Sequence, residues 1–356
     1  MRDAPSPATH YKLCDDVLGE GAYGTVVKAV NVQTQQYFAV KRFKRKSQKV
    51  RTKPAARAKK SRRRRPPLTL LCAQMPPDQL REIQTLRTLQ HEKHPNIVGF
   101  HGLVSDHQHS PHAFLLLELC EKTLAEVIKT AHRERVCKAA APGDGAGIGR
   151  LKTLAIACDI AAGLAHCHEW NIIPRDLKPQ NVLLDGSGRA KLCDFGMACC
   201  VDFDRPLSPQ MITLWYRAPE VLLGSEHYGT AVDVWALGCV VYEMCWLRAP
   251  FIASTEMKML EQVFDALGVP SAVHDAPVRF EYARRPSVVP ERIAQSGPPA
   301  AILKQMLELE PLARPAARAA LAALADLRTP EAHADRIGAG PAVHTGKRKS
   351  ARMAAD

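Results

Sequence analysis

Residues 176–194 contain polar side chains whose types and spacing suit phosphoryl transfer. The segment Ile173–Leu184 carries Asp176, Lys178 and Asn181, and a second carboxylate, Asp194, follows ten residues after the segment ends. A carboxylate can accept the proton of a substrate hydroxyl, and a lysine can neutralise a phosphate in transit. Amide and carboxylate oxygens are ligands that Mg²⁺ takes. These residue types could together supply a base, a cation for phosphate and oxygen ligands for a metal, which is the chemistry that phosphoryl transfer needs.

A glycine-rich turn near the N-terminus is a candidate for receiving the phosphates. Gly19, Gly21 and Gly24 have G-x-G-x-x-G spacing between two strand-like segments. Glycine lets backbone amides approach phosphate oxygens closely. No helix is predicted directly after the turn, so a dinucleotide-binding turn is disfavoured. Alone the spacing is weak evidence, because an ordinary hairpin can contain the same glycines.

A predicted strand and a predicted helix could supply an ion pair for the same phosphates. The apolar segment Tyr37–Phe43 is predicted to be a strand that carries Lys41 near its end. A helix predicted from Pro77 has an apolar stripe at helical spacing and carries Glu82. Each of these two charges alone is more often an ordinary surface residue. Only their joint occurrence makes either of them a candidate for a functional site.

The composition predicts a large folded region with one basic insertion. The chain has 356 residues, of which 46% are hydrophobic, so a sizeable core is expected. The stretch Arg42–Arg65 contains 14 Lys or Arg and no acid, and without it the net charge falls from +13 to −1. Prolines bracket this stretch, and we predict an insertion over 42–67. Such runs are usually solvated and can bind nucleic acid, acidic partners or import receptors.

Features of membrane and secreted proteins are not found in the sequence. No apolar run reaches the roughly 18 residues that span a bilayer, and the first residues contain no apolar signal core. The 11 cysteines are odd in number and have no repeating metal spacing. We therefore predict reduced thiols in a protein of the nucleus and cytoplasm that does not bind membranes.

Motifs in the second half of the chain carry a family resemblance. The string TLWYRAPE occupies Thr213–Glu220, Asp233 opens an apolar helix-like segment, and Arg314 lies in MLELEPLARP. With the motifs above, and in the same order, they resemble the cyclin-dependent-kinase-like serine/threonine protein kinases of the CMGC group. The resemblance covers roughly Tyr11 to Leu327. An ordered set of motifs is far less expected by chance than any one of them.

The resemblance implies an α+β, bilobal protein-kinase fold. Its kinase domain would span 11–327, with a small β-rich lobe over 11–119 and a larger, mainly helical lobe over 121–327. Segments 1–10 and 328–356 are predicted to be disordered. Residues 133–149 include a run of small and glycine-rich residues and are predicted to form a flexible loop. The implied activity is transfer of the ATP γ-phosphate to protein serine or threonine with Mg²⁺. The resemblance makes Asp176 the base and Lys178 the cation that neutralises the transferred phosphate, and it assigns Mg²⁺ to Asn181 and Asp194. The residues it places around ATP are Leu18, Gly19, Gly21, Gly24, Val26, Ala39, Lys41, Glu82, Glu118, Cys120 and Leu183.

The resemblance also implies substrate and partner preferences. Arg217 is similar to an arginine that shapes a proline-accepting pocket, which Met211 and Ile212 would line, so Ser-Pro or Thr-Pro substrates are expected. The helix around 77–90 resembles a cyclin-binding helix in its proline, Arg81 and Glu82, although the middle of that motif differs. A cyclin or cyclin-like subunit and a role in cell-cycle or transcription control are therefore expected. The resemblance also implies an ion pair between Arg314 and Glu220.

Regulatory positions follow from the same resemblance. Tyr23 matches an inhibitory phosphorylation site, and Ser208 matches an activating one. A phosphate on Ser208 would pair with Arg81 and Arg175, whereas the third arginine of that pocket is replaced by Cys199. An ordinary Ser-Pro loop would look the same at Ser208.

Two other functions stay open. Pro174 stands where the family has histidine, and proline removes a ring and a backbone N–H, which favours a weakly active kinase or a pseudokinase scaffold. The basic stretch 42–65 could instead make the chain a nucleic-acid-binding protein. The absence of aromatic residues after Phe43 in that stretch argues against base stacking and favours a nuclear-import signal.

Overall fold

A computed structural model describes residues 11–20, 24–43, 76–105, 113–137, 147–200, 213–269 and 287–328. Several predicted features lie outside the described residues. They are Gly21, Tyr23, Ser208, Met211, Ile212, the insertion beyond Phe43, and segments 1–10 and 329–356.

The N-terminal part is a five-stranded antiparallel sheet. The strands are β1 Tyr11–Glu20, β2 Gly24–Asn31, β3 Tyr37–Phe43, β4 Phe100–Ser105 and β5 Ala113–Glu118, in the spatial order β1-β2-β3-β5-β4. Val27 lies opposite Val40 in the β2–β3 pair, and both are buried. Alternation along a strand places such residues on one face, where they form a core.

One helix, α1 Pro77–Leu89, lies beside this sheet. Proline at its first position is favourable, because that N–H has no partner within the helix. Ile83, Leu86 and Leu89 are buried at helical spacing and belong to the main core. The same helix packs against the segment Phe195–Met197, so it joins the small sheet to the rest of the molecule.

The C-terminal part is mainly helical. Its helices are α2 Leu124–Cys137, α3 Arg150–Glu169, α4 Pro219–Leu222, α5 Ala231–Trp246, α6 Glu256–Leu267, α7 Val289–Ala294, α8 Ala300–Met306 and α9 Ala317–Asp326. Helix α5 is buried on almost all sides, as expected for a helix that is apolar around its circumference. Helices α3 and α8 both pack against α5, and residues of these three helices form a large part of the core.

Two small antiparallel sheets shape the interface between the two parts. Their strands are β6 Lys122–Thr123, β7 Ile172–Ile173, β8 Val182–Leu184, β9 Ala190–Leu192 and β10 Cys199–Cys200. Strands β6, β8 and β9 form one sheet, and β7 pairs with β10 in the other. The chain between β7 and β8 contains the 3₁₀ turn Pro179–Asn181, and the turn Phe195–Met197 follows β9.

The bilobal α+β architecture predicted from the sequence is confirmed. The predicted strand over Tyr37–Phe43 and the predicted helix from Pro77 are both present. Among the described residues, no helix has the length and apolar character needed to cross a membrane.

One prediction about local structure was wrong. Residues 133–149 were predicted to form a loop, but α2 continues to Cys137. Thr123 and Glu126 explain where this helix starts: the Thr123 N–H donates to the Glu126 carboxylate at 2.7 Å, and the Glu126 N–H donates to the Thr123 hydroxyl at 3.2 Å. This reciprocal capping and the burial of Leu124 and Val127 stabilise the start of the helix. The small and glycine-rich residues that follow Cys137 in the sequence had instead indicated a loop.

Candidate active site

The loop after β7 is anchored to the most buried helix of the protein. Arg175 has a positive φ of 66°, a conformation that non-glycine residues rarely adopt. Its backbone N–H donates to Asp233 Oδ1 at 2.9 Å, and His168 Nε2 lies 2.9 Å from the other oxygen of that carboxylate. Asp233 is itself buried at the start of α5. This contact fixes the loop backbone immediately before Asp176.

Asp176, Lys178 and Asn181 converge in the structure. Lys178 Nζ lies 2.7 Å from Asp176 Oδ2. Asn181 Nδ2 donates to the backbone oxygen of Asp176 at 2.8 Å and to its Oδ2 at 3.0 Å. The buried Asp176 carboxylate therefore accepts from a charged donor, Lys178, and from a neutral donor, Asn181, and the two hydrogen bonds hold it in one orientation.

A fourth residue, Thr213, joins this cluster and was not predicted to do so. Its hydroxyl accepts from Lys178 Nζ at 2.8 Å and lies 3.3 Å from Asp176 Oδ1. The sequence contained a signal in that Thr213 is the first residue of the TLWYRAPE string, but the string alone does not reveal the contact.

A second ionic cluster joins both parts of the fold. Lys41 Nζ, on β3, lies 2.7 and 2.8 Å from the Glu82 oxygens on α1 and 2.8 Å from Asp194 Oδ1. Burial lowers the pKa of Lys41, but the Glu82 and Asp194 carboxylates outweigh it, so the pKa lies above its usual range. The lysine is therefore charged at neutral pH.

The other residues predicted around ATP come from both parts of the fold. Leu18 and Gly19 lie near the end of β1, and Gly24 is the first residue of β2. In the sheet, Val26 lies opposite Lys41 and Ala39 lies opposite Leu117. Glu118 is the last residue of β5, two residues before Cys120, and Leu183 lies in β8. Burial, reinforced by the charge of Glu118, raises the pKa of the Cys120 thiol to about 12. Except for Glu82 and Cys120, the described members of this set thus lie on strands of both parts.

The oxygen donors fit Mg²⁺ bound together with phosphate. Asp194 has a positive φ of 60° and directly precedes the turn Phe195–Met197, whose phenylalanine is buried. Within the described residues, no group of three or more His, Cys, Asp or Glu is arranged to hold a metal by itself. Mg²⁺ commonly takes one or two protein oxygens and completes its shell with substrate phosphates and water. Asp194 and Asn181 supply donors of that kind.

The comparison with protein families agrees with this arrangement. The model described as the protein kinase domain matches residues 14–324. The chain belongs to the protein kinase family.

Two further ion pairs stabilise the large lobe of this kinase. Arg314 makes two hydrogen bonds of 2.7 Å to the Glu220 carboxylate, so the predicted pair is present. Arg217, predicted to shape a proline pocket, pairs its guanidinium with Glu256 at the start of α6. Nothing in the sequence marks Glu256 as the partner of Arg217, because an acid in the first turn of a helix is usually a surface residue.

The predicted regulatory arginines occupy different environments in the kinase. Arg81 is exposed on α1. Arg175 is buried, and its guanidinium donates to the Met197 carbonyl at 2.7 Å and to the Tyr228 hydroxyl at 3.1 Å. Burial raises the pKa of the Cys199 thiol, while the nearby charges of Arg175 and Arg81 lower it. Both arginines therefore lie close enough to Cys199 to affect its thiol.

Pro174 is buried directly after β7. The last registered pair of β7 and β10 joins Ile173 and Cys199, so the missing N–H of Pro174 falls just beyond that pairing. The contacts of Arg175, Asp176 and Lys178 that follow it are all formed.

Proposed function

We propose that this protein kinase is a cyclin-dependent-kinase-like serine/threonine kinase that phosphorylates Ser-Pro or Thr-Pro sites in proteins. The observation that carries the proposal is the convergence of Asp176, Lys178 and Thr213. A base and a cation held together in this way suit transfer of a phosphoryl group to a hydroxyl. The TLWYRAPE string favours the cyclin-dependent-kinase-like group.

The two ionic clusters would perform separate parts of the reaction. Lys41, held by Glu82, would orient the α- and β-phosphates of ATP. Asp176 would accept or orient the proton of the substrate hydroxyl, and Lys178 would neutralise the phosphoryl group as it moves. Thr213 would keep Asp176 and Lys178 in mutual register. Positioning and charge stabilisation, rather than covalent chemistry, would therefore supply most of the rate enhancement.

Nucleotide and metal binding would draw on both lobes. Leu18, Val26, Ala39 and Leu183 are apolar and suit the two faces of an adenine ring, while Glu118 and Cys120 would offer backbone groups to its edge. Asn181 and Asp194 would hold Mg²⁺, which supplies charge neutralisation between the phosphates.

Preference for proline after the acceptor residue would depend on Arg217. Its guanidinium is buried and paired with Glu256, which orders the segment that follows Thr213. The pocket-lining residues Met211 and Ile212 lie outside the described residues, so the preference itself rests on the sequence resemblance.

A pseudokinase scaffold is the second candidate, favoured by Pro174. The geometry downstream argues for activity, since the Arg175 N–H still donates to Asp233 and the Asp176 cluster is complete. Proline can fill apolar space, and the histidine that it replaces takes no part in proton transfer. We therefore expect Pro174 to lower the rate without abolishing it.

The test is a phosphorylation assay on matched peptides that contain Ser-Pro or Ser-Ala, with a candidate cyclin present or absent. Wild-type protein should transfer phosphate with a preference for Ser-Pro. Asp176→Asn should remove activity, and Pro174→His should raise it. Activity that survives Asp176→Asn, or a wild-type protein that binds nucleotide but never transfers phosphate, would contradict the proposal.

We also propose a partner, regulatory sites and a location for the kinase. The exposed Arg81 lies on α1, the helix expected to bind a cyclin, and phosphorylation of Ser208 and Tyr23 would activate and inhibit respectively. Recovery of a cyclin-like subunit with the tagged kinase, and its loss on α1 substitution, would support the first point. Deletion of 44–67 should reduce nuclear accumulation if the basic insertion is an import signal.

A further inference from the structure

Lys191 is a buried cation that joins three segments beside the end of β5. It lies in β9 and is only 8% exposed. Its Nζ lies 3.1 Å from Glu118 Oε1, 3.1 Å from the Pro95 carbonyl oxygen and 3.9 Å from Asp185 Oδ2. A buried lysine with several oxygen partners fixes the relative positions of the segments that carry them.

Glu118 is held on its backbone and on its side chain. The second oxygen of its carboxylate accepts from the Gly99 N–H at 3.0 Å, and the Glu118 N–H donates to the Gly99 carbonyl at 2.8 Å. Lys191 completes this arrangement from the other lobe. The backbone that continues from Glu118 to Cys120, where adenine is proposed to bind, is thereby fixed at its first residue.

The strand that carries Lys191 also leads to the proposed metal site. Strand β9 ends at Leu192, two residues before Asp194. Asn96 secures the same strand: its side chain donates to the Ala190 carbonyl at 2.8 Å, and its carbonyl accepts from the Leu192 N–H at 2.8 Å. Lys191 thus links the adenine end of the cleft to the segment that carries a proposed metal ligand.

We propose that Lys191 is a positioning residue for the nucleotide: its contacts with Glu118 and Pro95 hold the backbone after β5 against β9 at the separation that ATP binding requires. The inference rests on the proposed function, because it assigns a role within the same cleft. Lys191 is not expected to touch the reacting atoms, so its removal should weaken nucleotide binding and leave the chemical step nearly intact.

The most informative substitution is Lys191→Met. Methionine is an unbranched side chain that can occupy most of the same space without the charge. The Glu118 side chain is 31% exposed and retains the Gly99 N–H, so the substitution does not strand a fully buried carboxylate. Lys191→Arg keeps the charge and serves as the conservative variant. The matched control is Arg318→Met on α9, which removes an exposed ion pair between Arg318 and Glu169.

The measurement is steady-state kinetics with ATP and peptide varied independently, together with the melting temperature of each variant. Lys191→Met should raise the KM for ATP about tenfold, because the backbone after β5 would lose its fixed position in the free protein and would have to be ordered when ATP binds. Its kcat and its KM for peptide should stay within about twofold of wild type, Lys191→Arg should recover most of the ATP affinity, and Arg318→Met should change neither constant. A fall in melting temperature with an unchanged KM for ATP, or equal losses for both substrates, would overturn the inference.

Nucleotide binding separates this inference from the proposed function. The dissociation constant of ADP with Mg²⁺ can be measured by calorimetry without any phosphoryl transfer. If wild type binds ADP but phosphorylates no peptide, the proposed function fails, and weaker ADP binding by Lys191→Met would still support the positioning role. Equal ADP affinity in the two proteins would refute the role of Lys191 whether or not the protein is an active kinase.

Discussion

The ammonium group of Lys41 lies 2.7 and 2.8 Å from the two carboxylate oxygens of Glu82, although 41 residues separate them in the chain. The same ammonium reaches Asp194 of the large lobe at 2.8 Å. One buried cation therefore holds β3, α1 and the segment after β9 in fixed relative positions. A displacement of α1 would change this geometry directly, which explains how a partner on that helix would control the kinase.

Glu82→Gln should impair use of ATP. A neutral amide holds Lys41 less firmly, so the ammonium would turn toward Asp194 and away from the phosphates. Small misplacements of positioning groups cost on the order of 10²-fold in rate, and we expect a fall of that size in kcat/KM for ATP. Steady-state kinetics with ATP varied measures it. Gln84→Ala, an exposed change on the same helix, is the control. A Glu82→Gln enzyme within about threefold of wild type would show that this pair is not needed.

The Thr213 hydroxyl should matter for turnover more than for nucleotide binding. It accepts from Lys178 and faces Asp176, whereas the Lys41 cluster does not involve it. Thr213→Val keeps the shape and removes the hydroxyl, so we expect kcat to fall by roughly 10- to 100-fold with the KM for ATP nearly unchanged. Thr213→Ser keeps the hydroxyl and should retain most activity. Equal kcat values for the valine and serine variants would exclude a role for the hydrogen bonds.

Cys120 should react slowly with electrophiles at neutral pH. Burial and the charge of Glu118 raise the pKa of its thiol to about 12. A raised pKa means that the reactive thiolate is scarce at pH 7.5 and increases about tenfold with each unit of pH up to that value. Iodoacetamide labelling followed by peptide mass spectrometry should therefore modify the exposed Cys137 well before Cys120. Labelling of Cys120 should accelerate between pH 7.5 and 9, and Glu118→Gln should speed it at a fixed pH. Labelling of Cys120 as fast as Cys137 at pH 7.5 would contradict the expectation.

Local pattern predicted the elements that carry the site. The apolar segment Tyr37–Phe43 predicted β3, and apolar residues at helical spacing predicted α1. The short interval between Asp176 and Asn181 predicted that both belong to one loop. Steric and hydrogen-bonding rules act over these distances, so a few neighbouring residues decide the outcome. The pairing of Lys41 with Glu82 was predicted only through the family resemblance, because no local rule joins a strand residue to a helix residue so far along the chain.

Burial of charged residues was the part that the sequence concealed. Lysine and glutamate are usually surface residues, so the sequence does not mark Lys191 as buried or Glu256 as the partner of an arginine. Both properties depend on which elements fold against these residues. Helix α2 was concealed for a different reason: its end runs into small and glycine-rich residues, and its start depends on capping between Thr123 and Glu126. Each of these features is a property of contacts rather than of spacing.

All three nitrogen atoms of the buried Arg314 guanidinium donate hydrogen bonds. Its side chain has 0% exposure, and it makes two 2.7 Å hydrogen bonds to Glu220. It lies 5.1 Å from the centre of the Trp235 ring. Its remaining N–H groups donate to the carbonyl oxygens of Glu308, Leu309 and Ala231. One guanidinium therefore joins the start of α4, the start of α5 and the chain before α9.

Arg314→Met should be strongly destabilising, because it leaves Glu220 largely buried without its cation and leaves the backbone oxygens without donors. Removing one partner of a buried pair costs about 3–5 kcal/mol in the free energy of unfolding. The comparison is Arg318→Met, whose side chain is 82% exposed and pairs with Glu169 at 2.9 Å. Loss of an exposed pair costs less than about 1 kcal/mol, since water and salt already screen it. Urea unfolding of both variants measures the difference, and equal midpoints would mean that burial does not make the Arg314 pair more important than a surface pair.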